Sequence, residues 1–401
     1  MPFASSSAPS LWRDADFRRF WAAQTASQLG EHTSLTVLPL VAVLTLGVGA
    51  EQLGFLRAVG QAPLLLALFA GVLVDRWRGR TVMVVADAGR ALALAAVVLI
   101  GGESLPALLA VTFAVGLMSV FFDVAYQSFL VRILARDQLQ KGNSAVEGSR
   151  SAAQLAGPAL GGLIATTAVP LAFLAAFFAI SGAALTRVRH REPKHRGDRP
   201  RLREGLSFVA RHRVLRTICL ASAAFQFFLA ATMTVYLLFL PRGLHLSGAE
   251  VGLALAATGP GAIAGSFLAA RVKSGRAVLV GAAFLGDGVL LLVPALHGLP
   301  ALMAVNFAFG LFGQLVNVMV MAIRQAATPY GMQGRVAATI TFSGMGLAPF
   351  GSLLGGVAAE QWGLRAALLT LGAGMLLSPI IMLAGFGVGC ADDATPADRR
   401  P

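Results

Sequence analysis

Apolar residues run along this chain in blocks of about twenty, interrupted by short polar stretches rich in arginine. A helix needs ~20 apolar residues to cross ~30 Å of hydrocarbon, so each block has the length of a membrane span. Read by hydropathy, the chain predicts twelve spans at roughly 20–46, 52–75, 81–100, 105–131, 143–168, 169–186, 214–241, 247–270, 277–296, 299–323, 334–360 and 364–387. The fifth and sixth nearly touch, divided mainly by Val169 and Pro170. One long hydrophilic interruption, at 187–213, is dense in proline, glycine and charge and reads as a linker, with a short amphipathic helix expected over 202–210. The expected organisation is an N-terminal segment (1–19), a six-helix half (20–186), the linker (187–213), a second six-helix half (214–389) and a tail (390–401).

Composition agrees. Of 401 residues 56% are hydrophobic and 13% charged, about half the charge usual in a soluble protein. The chain therefore predicts an all-α polytopic membrane protein. Its 45 glycines suit helices that approach closely in lipid. The net charge of +13 is not spread evenly. One set of connections collects Arg18, Arg19, Arg76, Arg78, Arg80, Arg132, Arg136, Lys141, the linker cluster, Arg271, Lys273, Arg276, Arg324 and Arg335. The opposite set offers little beyond Arg242 and Arg365. This asymmetry predicts a plasma-membrane protein with both termini and the linker in the cytoplasm. It also explains the basic cluster as a topology determinant beside anionic lipid, and no nucleic-acid partner is expected. Cys219 and Cys390 lie far apart without metal-ligand spacing, so neither a disulfide nor a metal is expected. No removable signal peptide is expected either.

The two halves read as copies. Gly71 and Gly265 are 194 residues apart, and Pro158 and Pro349 are 191 apart, close to a single translation. Parallel repeats of this kind build transporters with a substrate site near the midplane of the interface.

The loop stretch Gly71-x-x-x-Asp75-Arg76-x-x-x-Arg80 and the fifth-span stretch Gly157-Pro158-x-x-Gly161-Gly162 resemble signatures of the major facilitator superfamily. The resemblance extends over essentially the whole chain and implies the twelve-helix fold with two six-helix pseudo-repeats. FLRAVGQAP (55–63), VADAGRA (85–91) and FFDVAYQ (121–127) are similar to the branch containing macrolide and siderophore exporters. The resemblance implies that Gly71, Asp75, Arg76, Arg78, Gly79 and Arg80 form a cytoplasmic gate, and that the fifth-span motif belongs to an antiporter. One departure is that Arg78 and Gly79 stand in swapped order, so Arg78 or Arg80 must close the gate. In the second half Ala269 replaces the acid, so a fully charged gate is expected only in the first half.

Several side chains carry candidate chemistry. Glu31 lies ~18 Å into the first span and shares a face with Gln24 and Gln28 by i, i+4, i+7 spacing. An ionisable group at such depth costs at least ~2.5 kcal/mol unless paired or protonated. It is either a proton-coupling residue or half of an ion pair with His32 or Arg57. His32 and Asp287, alone in the ninth span, are further proton candidates. Asp123 shares a face with Gln127 and is expected to reach the gate arginines, with a place in the cavity as the alternative. Asp87 and Arg90, and likewise Glu147 and Arg150, have the i, i+3 spacing of neutralising pairs. A mostly apolar cavity with a few polar groups is expected for a drug-sized substrate. Candidates for its lining are Gln24, Gln28, Phe121, Tyr126, Gln127, Phe225, Gln226, Phe228, Tyr236, Asn306, Gln314 and Asn317.

The chain carries no GxSxG, HExxH or GxxxxGK motif, so no enzyme, cofactor or ATP-binding site is expected. The reading is a monomeric secondary transporter that exports small amphipathic molecules by exchange with protons. The alternatives are import by symport or uniport, and a membrane sensor that transports nothing.

Overall fold

The computed structural model describes residues 11–67, 70, 74, 77–100, 104–134, 138–167, 169–189, 202–272, 275–329 and 332–386. Gly71, Asp75 and Arg76 of the expected gate lie outside the described residues. Among the described residues the fold is all-helical, and the helices follow the order expected for two six-helix halves. The first-half helices are Ala15–Leu44, Ala50–Gln61 continued by a 3₁₀ stretch Ala62–Leu66, Gly79–Ile100, Leu105–Ile133, Leu139–Ala165 and Pro170–Thr186. A linker helix, Leu202–Arg211, occupies the amphipathic stretch. The second half continues with Arg213–Gly243, Gly248–Arg271, Arg276–Ala295, Leu299–Ala326, Arg335–Trp362 and Leu364–Gly385. These six, together with Gly79–Ile100 and Leu105–Gln127, are long and apolar enough to cross a membrane.

Helix boundaries follow local chemistry. Asp14 caps the first helix, accepting hydrogen bonds from the Asp16 and Phe17 amides. Proline stands in the first turn of the fourth, sixth and tenth helices, where its missing N–H costs nothing. Gly298 and Gly363, with φ of 87° and 78°, turn the chain between the ninth and tenth and the eleventh and twelfth helices. The eighth helix breaks at Ala257, between Gly248–Ala256 and Thr258–Arg271. The eleventh breaks between Gln333–Met345 and Ala348–Trp362. The fifth helix starts at Leu139, about one turn earlier than hydropathy suggested, because Gln140, Lys141 and Asn143 are polar yet helical.

Three apolar cores hold the molecule. One draws on both halves, joining Val37–Val43 and Leu174 to Ala231, Tyr236, Val251, Leu302 and Leu371. It fills the end that carries the short connections after the first, fifth, seventh, ninth and eleventh helices. At the opposite end the cores are separate. Phe17, Phe20, Met83, Phe129 and Leu185 belong to a cluster made of the N-terminal segment, the first half and Val188 at the start of the linker. Leu215, Ile218, Leu279, Val336 and Met382 belong to one made of the linker and second half. Among the described residues the halves therefore share an apolar core at one end and keep separate cores at the other.

Glycine permits the meeting. A Cβ on Gly54 of the second helix would lie 2.8 Å from both Gly356 Cα and the Ser352 carbonyl oxygen on the eleventh. A Cβ on Gly252 of the eighth helix would lie 2.6 Å from the Pro158 carbonyl oxygen and 2.8 Å from Gly162 Cα on the fifth. Both are contacts no real Cβ makes, so only glycine lets the backbones come this close. Arg242 closes the same end by donating to the Gly47 and Val48 carbonyls.

Gly54→Val and Gly252→Val should each force this end apart, at an overpacking cost of ~1–3 kcal/mol. Spin labels at the exposed positions Glu51 and Gln361 should report longer distances in either variant. An unchanged distance would show that glycine is dispensable there.

Candidate functional site

Inside the first half a guanidinium is packed where no water reaches. Arg90, on the third helix, is 0% exposed. Its Nη2 donates to Asp87 Oδ1 and, at 2.9 Å, to Ser27 Oγ; its Nη1 donates to Ser119 Oγ at 3.1 Å. Asp87, equally buried, accepts from Ser27 at 3.2 Å and from Ser181 at 2.6 Å. The Phe122 and Phe178 rings lie over the guanidinium carbon at 4.7 and 4.3 Å. Helices one, three, four and six thus converge on one ion pair. The expected Asp87–Arg90 neutralisation is present, in a setting where losing either partner would strand a charge.

Glu31 stands at the edge of this knot. Its Oε2 is 3.7 Å from Arg90 Nη1 and makes no hydrogen bond among the described residues. Its side chain is 21% exposed, against 0% for Arg90. The carboxylate is thus attracted to Arg90 without being locked by it, because Asp87 already takes the short contact. The pairing partner expected among His32 and Arg57 is corrected to Arg90. His32 instead presents its backbone and Cβ to Gly157.

Asp123, expected at the gate, hydrogen-bonds Gln28 and lies within electrostatic reach of Arg90 and Arg150. Its charge also acts on Glu31. It belongs spatially with Glu31, because the fourth helix turns this face toward the first. Arg150, which pairs with Glu147 at 3.9 Å, is the second cation acting on both carboxylates.

The described part of the gate loop is simple. Gly79 opens the third helix. Arg80 donates to the Thr186 carbonyl at 3.0 Å, while the Arg78 side chain is exposed.

The other candidate lining residues separate into groups. Gln226 and Asn317 do line a cavity of about 310 Å³, with Phe225 and the proton candidate Asp287. Tyr236 and Asn306 do not line it: they are 0% and 1% exposed and bonded to each other at 2.6 Å within the shared core. Their polar groups are spent on one another, as burial requires. Gln24 is fully buried, and neither of its amide atoms has a partner among the described residues. Tyr126 is buried in the first-half core beside Phe122, whereas Gln127 is exposed. Gln314 packs its Cβ toward Gly265. The glycines of the fifth-helix motif pack, with Gly157 and Gly161 on the first helix at His32, Thr33 and Thr36, and Gly162 on the eighth. Pro158 sits inside that helix.

Sequence reasoning missed Ser27, Ser119 and Ser181, the hydroxyls around Arg90, and Ser222 and Thr341 of the second-half cavity. Ser27 was accessible to it, lying i, i+4 from Glu31 on the same helix face; the others carry no pattern of their own.

Residues 20–241 match the Major Facilitator Superfamily. The chain is 28% identical over 389 residues to the multidrug efflux pump Tap of Mycobacterium tuberculosis (strain ATCC 25618 / H37Rv), covering 88% of this chain and 89% of that protein. Tap of Mycolicibacterium fortuitum is 27% identical over 401 residues, covering 90% and 93%. The uncharacterized MFS-type transporter YfiS of Bacillus subtilis (strain 168) is 26% identical over 390 residues, covering 91% of each. Among solved structures, the nucleoside transporter NupG matches with a TM-score of 0.71 at 12% identity, covering 92% of this chain and 99% of that one. A bacterial homologue of the iron transporter ferroportin in an inward-facing state matches with a TM-score of 0.71 at 15% identity, covering 94% and 99%. At those identities the likeness to the solved structures is one of fold.

Arg90→Met should leave Asp87 buried and uncompensated, lowering stability by ~3–5 kcal/mol. Adding Asp87→Asn should restore most of the loss. Thermal unfolding in detergent reads both, and an undiminished midpoint for Arg90→Met would show that the pair is not structural.

Proposed function

The chain belongs to the Major Facilitator Superfamily, and from that premise we propose that it is a secondary active exporter exchanging small amphipathic molecules for protons. The observation that carries this reading is the state of Glu31. It is an ionisable side chain deep in the first helix, held 3.7 Å from a cation already paired elsewhere, with an oxygen that makes no hydrogen bond. Such a carboxylate can take up or give up a proton without dismantling the structure around it. Intramembrane acids of this kind mark proton relays.

In this reading Asp123 shares the proton load. Glu31 and Asp123 repel one another when both are ionised, and Arg90 and Arg150 offset the remaining charge. Gln28 orients Asp123. His32 is left as a packing residue whose Cβ lies against Gly157.

The export direction and the drug-like substrate are supported by similarity to multidrug efflux pumps over nearly nine tenths of the chain. The orientation rests on the basic asymmetry of the connections, which puts both termini and the 187–213 linker in the cytoplasm of a plasma-membrane protein. In that orientation the end with separate cores faces the cytoplasm, and the glycine-packed end faces outward. The 71–80 loop would gate the cytoplasmic side, with Arg80 as the arginine that ties it to the end of the sixth helix.

Glu31→Gln should abolish efflux driven by a pH gradient in everted vesicles while leaving substrate binding intact; persisting pH-driven efflux would exclude Glu31 as the coupling residue. Arg80→Ala should slow transport more than Arg78→Ala, measured as initial efflux rates. Equal rates for both variants and the unaltered protein would reduce the loop to a topology anchor.

A further inference from the structure

Asp287, a proton candidate by its depth in the ninth span, is not used by the exchange proposed above. It lies on the ninth helix, 6% exposed, and lines the second-half cavity of about 310 Å³. Among the described residues it has no hydrogen bond and no ion pair, and no cation acts on it. Its first-half counterpart in burial, Asp87, has an arginine and two serines. A carboxylate held in a bundle interior without a counter-charge leaves its compensation to something outside the fold.

The surroundings say what that something is. Ser222 and Gln226 lie one turn apart on the seventh helix, Asn317 lies on the tenth and Thr341 on the eleventh, and all four line the same cavity. None of these side chains is hydrogen-bonded to protein among the described residues. The remaining wall is apolar and soft, with Phe225, Met321 and Met345 prominent. Methionine walls adapt to ligands of different shape, and an aromatic face attracts a cation. Arg324 also lines the cavity, but it stands in the last turn of the tenth helix, whereas Gly286 beside Asp287 packs at the level of Phe312 and Gly313, roughly 16 Å away along the axis at 1.5 Å rise per residue. Among the described lining residues, Asp287 is the one acid.

We propose that this cavity is a binding subsite for an organic cation, with Asp287 as its counter-ion and the Ser222, Gln226, Asn317 and Thr341 side chains as neutral acceptors around it. Substrate charge and the transported proton are then handled on different carboxylates in different halves. The inference rests on the export reading only in taking the bound cation to be cargo; binding itself does not depend on it.

Glycine supplies a way to test occupancy without touching charge. Gly313 lines the cavity, and a Cβ built on it meets nothing within 4 Å. A larger side chain there enters the empty space rather than a neighbouring helix.

The probe is benzyltrimethylammonium, an aromatic cation that cannot carry a transferable proton, and binding is measured by calorimetry on the purified full chain in detergent. Asp287→Asn should weaken binding about 30-fold or more, the loss usual when a buried charge partner is removed. Asp287→Glu should recover part of it. Gly313→Leu should abolish binding while the thermal midpoint stays unchanged. Glu31→Gln should bind like the unaltered protein, which separates this site from the proton site. No binding to the unaltered protein, or equal binding by Asp287→Asn or Gly313→Leu, would overturn the proposal. Because no gradient is present, failure of proton-driven export would leave these results standing.

Discussion

A guanidinium buried among membrane helices must be neutralised where it stands, and in this protein that requirement organises the first half. Arg90 draws Asp87 from its own helix, Ser27 from the first, Ser119 from the fourth, and through Asp87 reaches Ser181 on the sixth. Two phenylalanine rings seal the faces of the guanidinium. The functional consequence lies at the margin of this knot. Because Asp87 satisfies the arginine, Glu31 keeps an attraction without a hydrogen bond from its Oε2 among the described residues, the arrangement the proposed proton exchange needs. A looser Arg90 would capture Glu31, and a missing one would leave two acids facing hydrocarbon.

The two halves use charge differently. The first half holds two carboxylates, Glu31 and Asp123, under the influence of two arginines. The second half leaves Asp287 without a counter-charge beside it, in a cavity where Ser222, Gln226, Asn317 and Thr341 are neutral and the one lining cation, Arg324, stands in the last turn of the tenth helix. The repeat in sequence therefore carries a common helix arrangement but not a common chemistry. Each half offers the membrane interior a different kind of acid.

Much of this was legible in the chain. Span number, the division into halves and the amphipathic linker helix follow from hydropathy blocks, because lipid admits so few ways to satisfy a backbone. Depth along a helix was legible too, which singled out Glu31 and Asp287. What periodicity cannot supply is which helix faces which. Glu31 was expected to meet His32 or Arg57, near it in sequence or topology, and it met Arg90 instead. Asp123 carries the same spacing whether it faces the loop or the first helix. Tyr236 and Asn306 read as cavity residues because both are polar and mid-span, yet 70 residues apart they satisfy each other inside the shared core. The same blindness hid the glycine contacts between halves, since Gly54 and Gly162 look like any other small residues until their partners are known.

The apolar core shared by the halves has one more consequence. It occupies only one end of the molecule, and its surface cannot be exposed unless equivalent surface is covered elsewhere. The separate cores at the other end could supply that compensation if the halves came together there as the joined end opened. A continuous aqueous path would demand that both ends be parted at once, with no burial gained for the burial lost. In an alternating-access cycle, hydrophobic free energy would thus oppose a leak without any single plug.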